Sequence, residues 1–108
     1  MKILDIDVKR LKNMLDNKKD FILLDVRTEL ETITSSISPN AIHIPMSEIP
    51  TRFTELNKDK EIIIHCKSGK RSVKVCEFLI NNNFKNIKNL KGGILAWSNE
   101  IDPLILVY

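Results

Sequence analysis

The feature that most constrains this chain is a run of three isoleucines that leads into a cysteine. Residues 62–64 are all isoleucine, His65 and Cys66 follow, and a short polar stretch around Gly69 comes next. A β-branched run closed by a glycine-containing turn is typical of a buried strand that leads into a helix. Open α/β sheets bind their ligands at the carboxyl ends of strands. This pattern therefore predicts that Cys66 lies in a binding site, facing the N-terminus of the next helix.

Helical and apolar segments alternate along the rest of the chain. Short strands are predicted at residues 3–6, 41–44 and 86–90, and residues 21–24 form an apolar run without alternation. Asp7 is placed to cap a helix whose apolar positions follow helical spacing: Val8, Leu11, Met14 and Leu15. Helices that alternate with strands covered on both faces predict an α/β fold. We expect a central parallel β-sheet flanked by helices on both faces.

Three further helix starts can be predicted from capping residues. Ser47 is expected to cap a helix that carries Pro50 in its first turn, and Ser72 is expected to cap the helix after the cysteine loop. The predicted buried positions of that last helix are Val73, Cys76, Phe78, Leu79 and Ile80. Asn83 is expected to end it in a left-handed conformation. Gly92 and Gly93 predict a tight turn into a short final helix.

Length and composition bound the possible classes of protein. A chain of 108 residues with 43% hydrophobic and 29% charged residues can bury one core, which predicts a single domain over 1–108. Two cysteines and two histidines without ligand spacing predict no zinc site, and we expect neither a disulfide nor a cofactor. The first residues resemble no signal peptide, and no apolar run reaches membrane-spanning length. We expect the protein in a reducing compartment, in the cytoplasm or an organelle stroma or matrix.

Positive charge is concentrated around the cysteine loop. Residues 66–91 contain seven Lys or Arg and one acid, whereas the whole chain carries a net charge of +3. Such a segment is either a solvated basic face or a surface that attracts an anionic substrate or an acidic partner. Nucleic acid is not expected, because no binding motif is present and few aromatic residues are available to stack on bases.

The loop itself carries the residues that activate a thiol. Backbone N–H groups of residues 67–72 can form an anion cradle, Gly69 allows the bend, and a helix N-terminus favours negative charge. The expected contributors are the cations Lys67, Lys70 and Arg71 and the hydroxyls of Ser68 and Ser72. Because such surroundings lower a thiol pKa, Cys66 is the predicted nucleophile and needs no adjacent general base.

The remaining polar and aromatic candidates favour structural roles. His65 and His43 lie within apolar strands, Cys76 occupies a core position of a helix, and Trp97 is expected to anchor the final helix. Asp25 ends its strand as Cys66 ends the later one. It either caps the segment from Thr28 or lines the same crevice as the cysteine.

Several separated motifs give the chain a strong resemblance to the rhodanese family of sulfurtransferases, which carry sulfur as a cysteine persulfide. The cysteine loop at residues 66–72 is similar to the family's active-site loop, and the Leu-Asp-Val-Arg segment at 24–27 resembles a family segment. The resemblance implies that Asp25 and Arg27 help to hold the active-site region together. Residues 92–97 are similar to the family's Gly-Gly-x-x-Ala-Trp signature. The implied donor is a small anionic sulfur compound or a protein persulfide.

Two other functions compete with sulfur transfer. Cysteine phosphatases and arsenate reductases also use a cysteine loop that ends in arginine and serine, but their loops hold one residue more than the four between Cys66 and Arg71. A shorter loop makes a smaller cradle, which suits a sulfur atom better than a tetrahedral phosphate. A rhodanese-like module used only for recognition is the third candidate. Such modules often lack the cysteine that this chain has.

The C-terminal segment suggests a narrower relationship. Residues 96–103 and the terminal Tyr108 resemble the end of larger adenylyltransferase–sulfurtransferases, although residues 104–106 are more apolar than expected there. In those proteins an adenylating domain precedes the rhodanese domain, which supplies sulfur to a sulfur-carrier protein for molybdopterin, thiamine or tRNA thiolation. The resemblance implies that a sulfur-carrier protein or an adenylating domain is a partner.

Overall fold

A five-stranded parallel β-sheet organises the computed structural model, which describes residues 2–107. The strands are β1 (Leu4–Ile6), β2 (Ile22–Asp25), β3 (Ile42–His43), β4 (Ile62–His65) and β5 (Ile87–Leu90). Their order in the sheet is β1-β5-β4-β2-β3, and every neighbouring pair is parallel. The predicted central parallel sheet is therefore confirmed, with the strand that precedes Cys66 in the middle.

Across residues 2–107, four α-helices connect the strands and a fifth follows β5. They are α1 (Val8–Asp16), α2 (Glu29–Thr34), α3 (Ile49–Arg52), α4 (Lys70–Asn81) and α5 (Gly93–Glu100). Short 3₁₀ turns at Met46–Glu48 and Phe53–Glu55 flank α3. Within residues 2–107, no helix has both the length and the apolar character needed to cross a membrane.

The side chains of β4 alternate between two cores, which places helices on both faces of the sheet. Ile62, Ile64 and Cys66 point to a core formed with α3 and α4, which includes Ile49, Val75, Cys76 and Leu79. Ile63 lies in the opposite core, formed with α1 and α5, which includes Val8, Leu11, Met14 and Trp97. Trp97 is 5% exposed, so it packs in the core as predicted.

Several local predictions are confirmed. The Asp7 side chain caps α1 by accepting a hydrogen bond from the Arg10 backbone N–H at 2.8 Å. Pro50 lies in the first turn of α3, where a missing N–H leaves no helical hydrogen bond unmade. Asn83 has a φ of 72° just after α4, in the left-handed region that asparagine tolerates better than most residues.

The capping predictions for Ser47 and Ser72 are wrong. Ser47 lies inside the 3₁₀ turn, and neither that turn nor α3 has a side-chain cap. Helix α4 begins two residues before Ser72, with Gly69 as its N-cap at a φ of 98°. Its buried residues are Ser72, Val75, Cys76 and Leu79, whereas the predicted positions Val73, Phe78 and Ile80 are only half-buried. The predicted core positions Cys76 and Leu79 are confirmed, and Ser72 lies in the interior instead of capping the helix. Tyr108 lies outside the described residues.

Candidate active site

The thiol of Cys66 lies at the floor of a loop between β4 and α4. Its Sγ accepts hydrogen bonds from the backbone N–H of Gly69 at 3.1 Å and of Ser72 at 3.4 Å. The Ser72 hydroxyl lies 3.4 Å from the same sulfur atom. The left-handed conformation of Gly69 turns the chain so that these N–H groups converge on Sγ. The structure thus brings part of the predicted cradle to the sulfur.

At the Cys66 thiol, hydrogen bonding lowers the pKa by more than burial raises it. Burial raises the pKa of Cys66, which is only 1% exposed, because a charged thiolate is poorly solvated there. Hydrogen bonds from the Ser72 hydroxyl and from the backbone of Ser72, Gly69 and Ser68 lower the pKa by more, so the net direction is down. The thiolate is the reactive form of cysteine, so this environment favours nucleophilic chemistry.

The backbone of α5 supports the base of the loop. The Ile94 N–H donates to the Cys66 carbonyl and the Leu95 N–H donates to the Lys67 carbonyl, both at 3.0 Å. Gly93 makes this approach possible, because a Cβ there would lie 2.5 Å from the Lys67 oxygen and 2.6 Å from the Cys66 oxygen. From the sequence, Gly93 was expected in a tight turn and in the family's Gly-Gly-x-x-Ala-Trp signature, but not against the cysteine loop. The pair Gly92 and Gly93 was the signal available in the sequence. It could not show the contact with Cys66 and Lys67, because those residues are distant from Gly93 in the chain.

Arg71 does not act as a free cation in the loop. Its guanidinium forms two hydrogen bonds with the Glu31 carboxylate of α2, at 2.8 and 2.9 Å. Hydrogen bonding to Arg71 is the main reason why the pKa of Glu31 falls to about 2. The predicted cationic contribution of Arg71 is therefore largely compensated by Glu31, which no sequence pattern marked as part of the site.

The other predicted loop residues lie around the sulfur in different ways. Lys70 and Ser68 are exposed, and Lys67 is half-buried. Ser68 was expected to offer its hydroxyl, but it contributes to the thiol through its backbone. In the described part of the chain, Ser72 is the residue whose hydroxyl lies in hydrogen-bonding range of Sγ.

Asp25 and Arg27 form a buried ion pair at the end of β2. The guanidinium Nη2 lies 2.8 Å from Asp25 Oδ2, and the Arg27 backbone N–H donates to Asp25 Oδ1 at 3.0 Å. Burial is the largest single influence and raises the pKa of Asp25, but the hydrogen bonds from Arg27 and the charges of His65 and Arg27 together outweigh it, so the net direction is down. Arg27 also donates to the Ser35 carbonyl at 2.7 Å, and Thr32 donates to Asp25 at 3.2 Å. The pair therefore anchors the segment that contains α2 and Glu31.

This arrangement excludes one of the two interpretations of Asp25. Asp25 does not cap the segment from Thr28, because Thr28 itself caps α2 in a capping box with Glu31. Asp25 instead holds Arg27, whose other contacts fix the chain beside the cysteine loop.

Both histidines make structural contacts. His65 is completely buried, and alternation along β4 directs its ring to the sheet face opposite Cys66. Burial lowers its pKa, which favours the neutral ring. The His43 ring Nε2 lies 2.7 Å from the Arg27 carbonyl oxygen. Neither histidine is placed as a general base for the thiol.

Cys76 is a second free, buried cysteine with different chemistry. It lies in the middle of α4 within the same core as Cys66. Burial is the largest cause that raises the pKa of Cys76 to about 12, and the negative charge of Asp5 adds to the effect. No cluster of three or more metal-binding side chains occurs within residues 2–107.

Comparison with known proteins assigns the family. The family model for the rhodanese-like domain matches residues 7–100, so the chain belongs to the rhodanese-like domain family. It is 37% identical to a sulfurtransferase of Allochromatium vinosum over 101 residues, which cover 94% of both chains. A crystal structure of a rhodanese-like domain protein from Staphylococcus aureus superposes with a TM-score of 0.83 at 39% identity, covering 92% of this chain and 95% of that one. These relatives support a rhodanese-type transferase at the level of the family.

The narrower relationship is distant. An adenylyltransferase and sulfurtransferase of Zea mays is 28% identical over 110 residues, and the match covers 95% of this chain but 23% of that protein. The similarity therefore concerns a rhodanese-like portion of a much longer protein.

Proposed function

We propose that this chain is a sulfurtransferase that carries sulfane sulfur as a persulfide on Cys66. In the first half-reaction the Cys66 thiolate attacks the outer sulfur of thiosulfate. A new S–S bond forms to Cys66, and sulfite leaves with the electron pair of the broken S–S bond. In the second half-reaction a thiophilic acceptor attacks the terminal sulfur, and the Cys66 thiolate is released. The cycle is ping-pong and needs no cofactor.

The observation that carries this proposal is the set of N–H donors on Cys66 Sγ. A persulfide places negative charge on a sulfur atom one bond beyond Sγ, and the N–H groups that donate to Sγ at the start of α4 put positive partial charge beside that position. The short loop up to Arg71 leaves a cradle suited to a sulfur atom. In this role Cys66 is the catalytic residue and residues 67–72 bind the anion. Asp25 and Arg27 support the loop through α2.

The proposed partners follow from charge. The exposed Lys70 and the half-buried Lys67 favour an anionic donor, which is either a small anion such as thiosulfate or a protein persulfide. We further propose a sulfur-carrier protein as the acceptor, presented alone or beside an adenylating domain. The single domain over 1–108 would work in a reducing compartment, such as the cytoplasm or an organelle stroma or matrix, where Cys66 stays reduced between cycles.

Loading with a donor tests the proposal directly. The protein is incubated with thiosulfate, freed of excess donor, and measured by intact mass spectrometry under non-reducing conditions. The wild type and the matched control Cys76→Ser should each gain the mass of one sulfur atom, whereas Cys66→Ser should gain none. If the wild type stays unmodified with thiosulfate and with a protein persulfide, the carrier function is wrong and a recognition module becomes the better explanation.

The phosphatase alternative has its own test. An aryl phosphate is offered to the wild type and to Cys66→Ser at matched protein concentration. Sulfur transfer predicts no turnover above the buffer rate for either protein. Turnover that disappears in Cys66→Ser would show that the loop accepts phosphate and would contradict the argument from loop length.

A further inference from the structure

A chain of hydrogen bonds runs from the Cys66 sulfur to the edge of the sheet. Cys66 Sγ lies 3.4 Å from the Ser72 hydroxyl, which donates to Asn89 Oδ1 at 2.5 Å. The Asn89 amide in turn donates from Nδ2 to Asp5 Oδ1 at 3.1 Å. Asp5 on β1 is the register partner of Asn89 on β5. Ser72 and Asn89 are buried, at 0% and 4% exposure, so these partners are not readily replaced by solvent.

The chemistry of each group sets the direction of these hydrogen bonds. An ionised carboxylate only accepts hydrogen bonds, so Asp5 requires the NH₂ side of the Asn89 amide. The amide oxygen then faces Ser72 and requires a donor there. A hydroxyl has a single hydrogen, and in this arrangement Ser72 gives it to Asn89. Ser72 then presents a lone pair to Cys66, which accepts the hydrogen of a neutral thiol. The hydroxyl can lower the thiol pKa only when it turns from Asn89 and donates to the sulfur.

We propose that Asn89, oriented by Asp5, is a positioning residue that holds the Ser72 hydroxyl hydrogen away from Cys66 while the cysteine is a neutral thiol. When the thiol proton leaves to solvent, the hydroxyl turns from Asn89 Oδ1 to Sγ and donates to the thiolate. Asn89 therefore competes with the sulfur for one hydrogen atom. The inference rests on the proposed function only in taking Cys66 as the reacting group.

Removing the competitor should lower the pKa of Cys66. In Asn89→Leu the Ser72 hydroxyl has lost its acceptor and is free to donate to the thiolate. Its hydrogen bond then stabilises the ionised form of Cys66 without competition from Asn89. Hydrogen bonds to charged groups are stronger than those between neutral groups, and we expect the thiol pKa to fall by about one unit. The substitution replaces none of the charged and titratable groups of the surrounding elements, but Asp5 loses its hydrogen bond from Asn89. These groups are Asp5, Asp25, Glu31, His65, Lys67, Lys70, Arg71, Cys76 and Glu77.

A double-mutant cycle separates this effect from a general disturbance of the loop. The pKa of Cys66 is measured from the ultraviolet absorbance of the thiolate as a function of pH in wild type, Asn89→Leu, Ser72→Ala and the double variant. With Ser72 present, Asn89→Leu should lower the pKa by about one unit. In the Ser72→Ala background the same change should have no effect. Cys76 does not interfere, because its pKa is about 12.

A second cycle with Asp5→Asn covers the case in which Asn89→Leu fails to fold. Asparagine at position 5 can also donate, so the Asn89 amide is no longer held in one orientation and Ser72 is partly released. Loss of a negative charge lowers the thiol pKa by itself, and that part persists in the Ser72→Ala background. We expect Asp5→Asn to lower the pKa of Cys66 by more when Ser72 is present than in the Ser72→Ala background. Asp20→Asn removes a charge near the opposite end of the sheet and should leave the pKa close to that of wild type.

Equal shifts of the pKa with and without Ser72, in either cycle, would overturn the proposal, because a purely structural or electrostatic role does not depend on the hydroxyl. A rise of the pKa in Asn89→Leu would also contradict it. Neither measurement uses a sulfur donor. A protein that shows the predicted coupling but never gains sulfur would contradict the proposed function and leave this inference intact.

Discussion

The two cysteines of this chain show what determines thiol reactivity here. Cys66 and Cys76 are both almost completely buried, at 1% and 0% exposure, and both belong to the core between the sheet and α4. Their pKa values nevertheless move in opposite directions. The pKa of Cys66 is lowered, although burial alone would raise it, whereas burial leads the rise of the pKa of Cys76 to about 12.

The difference comes from position relative to the helix. Cys66 lies just before α4, where the first N–H groups of the helix have no carbonyl partner within it and are free to bind an anion. Cys76 lies within α4, where backbone N–H groups bond to carbonyls one turn earlier. In this chain the buried thiol with the lowered pKa is therefore the one that free N–H donors surround. Cys66 and Cys76 are only ten residues apart in the sequence.

The largest expected effect is on turnover. Cys66→Ser should abolish the transfer of sulfur from thiosulfate to cyanide, because no other thiol is held among free N–H donors. Cys76→Ser should keep turnover within about a factor of three of wild type, since its side chain is replaced by a polar one of similar size. Thiocyanate formation measures both. Substantial loss in a folded Cys76→Ser protein, confirmed by circular dichroism, would mean that the second cysteine takes part.

Gly93→Ala tests whether the backbone of α5 supports the Cys66 environment. The new Cβ would meet the carbonyl oxygens of Lys67 and Cys66 at 2.5 and 2.6 Å, at a residue whose φ is 59°. We expect the free energy of unfolding to fall by about 3 kcal/mol, from strain and overpacking together.

Urea unfolding at neutral pH measures this change. The matched control is Asn99→Ala, at an exposed position of the same helix, which should change stability by less than about 0.5 kcal/mol. If Gly93→Ala were as stable as the control, the close approach of α5 to the loop would be wrong.

Alkylation rates compare the two cysteines within one molecule. The pKa of Cys66 is lowered and that of Cys76 is raised to about 12, so the thiolate fraction at neutral pH is much greater at Cys66. A thiolate of lower pKa is intrinsically less nucleophilic, which reduces the ratio of rates but does not cancel it, so Cys66 should be alkylated faster than Cys76. Iodoacetamide labelling followed by peptide mass spectrometry gives both rates. Equal rates would contradict the opposite directions of the two pKa values.

The smallest effect concerns the Arg71–Glu31 pair. The Glu31 carboxylate has a pKa of about 2 in the folded chain, against 4.5 as its ordinary value. A lowered folded pKa stabilises the protein fully above pH 4.5, and this stabilisation is lost as the pH falls toward about 2. The pair is partly exposed, so Glu31→Gln should cost about 1 kcal/mol at neutral pH.

The difference in unfolding free energy between wild type and Glu31→Gln should therefore shrink in acid. Glu29→Gln, a change of the same kind in the same helix, is the control. Its effect on the free energy of unfolding should depend little on Arg71. A cost for Glu31→Gln that is the same in acid and at neutral pH would mean that the carboxylate charge does not matter.

The sequence alone predicted the features that depend on neighbouring residues. The apolar runs of β2 and β4, the Asp7 cap, the left-handed Asn83 and the strand-end position of Cys66 all follow from local pattern and backbone preference. The start of α4 could not be predicted in this way. A serine cap at Ser72 is locally favourable, but Gly69 is the N-cap of the helix. Ser72 is instead buried, where its hydroxyl contacts Cys66 and Asn89.

The contacts that were missed join residues distant in the chain. Glu31 and Arg71 are 40 residues apart, and the Asn89–Asp5 hydrogen bond spans 84 residues. Both pairs form because parallel strands bring their carboxyl ends, and the segments that follow them, to one edge of the sheet. The sequence predicted that edge as the site but not the pairing of charges across it.

The most direct test of the account is to locate the sulfur after loading. Wild-type protein is treated with thiosulfate, the persulfide is trapped with an alkylating reagent, and the peptides that contain Cys66 and Cys76 are analysed separately by mass spectrometry. We expect one additional sulfur on the Cys66 peptide and none on the Cys76 peptide. Sulfur on Cys76, or equally on both cysteines, would contradict the claim that the unpaired N–H donors at the start of α4 determine which buried thiol reacts.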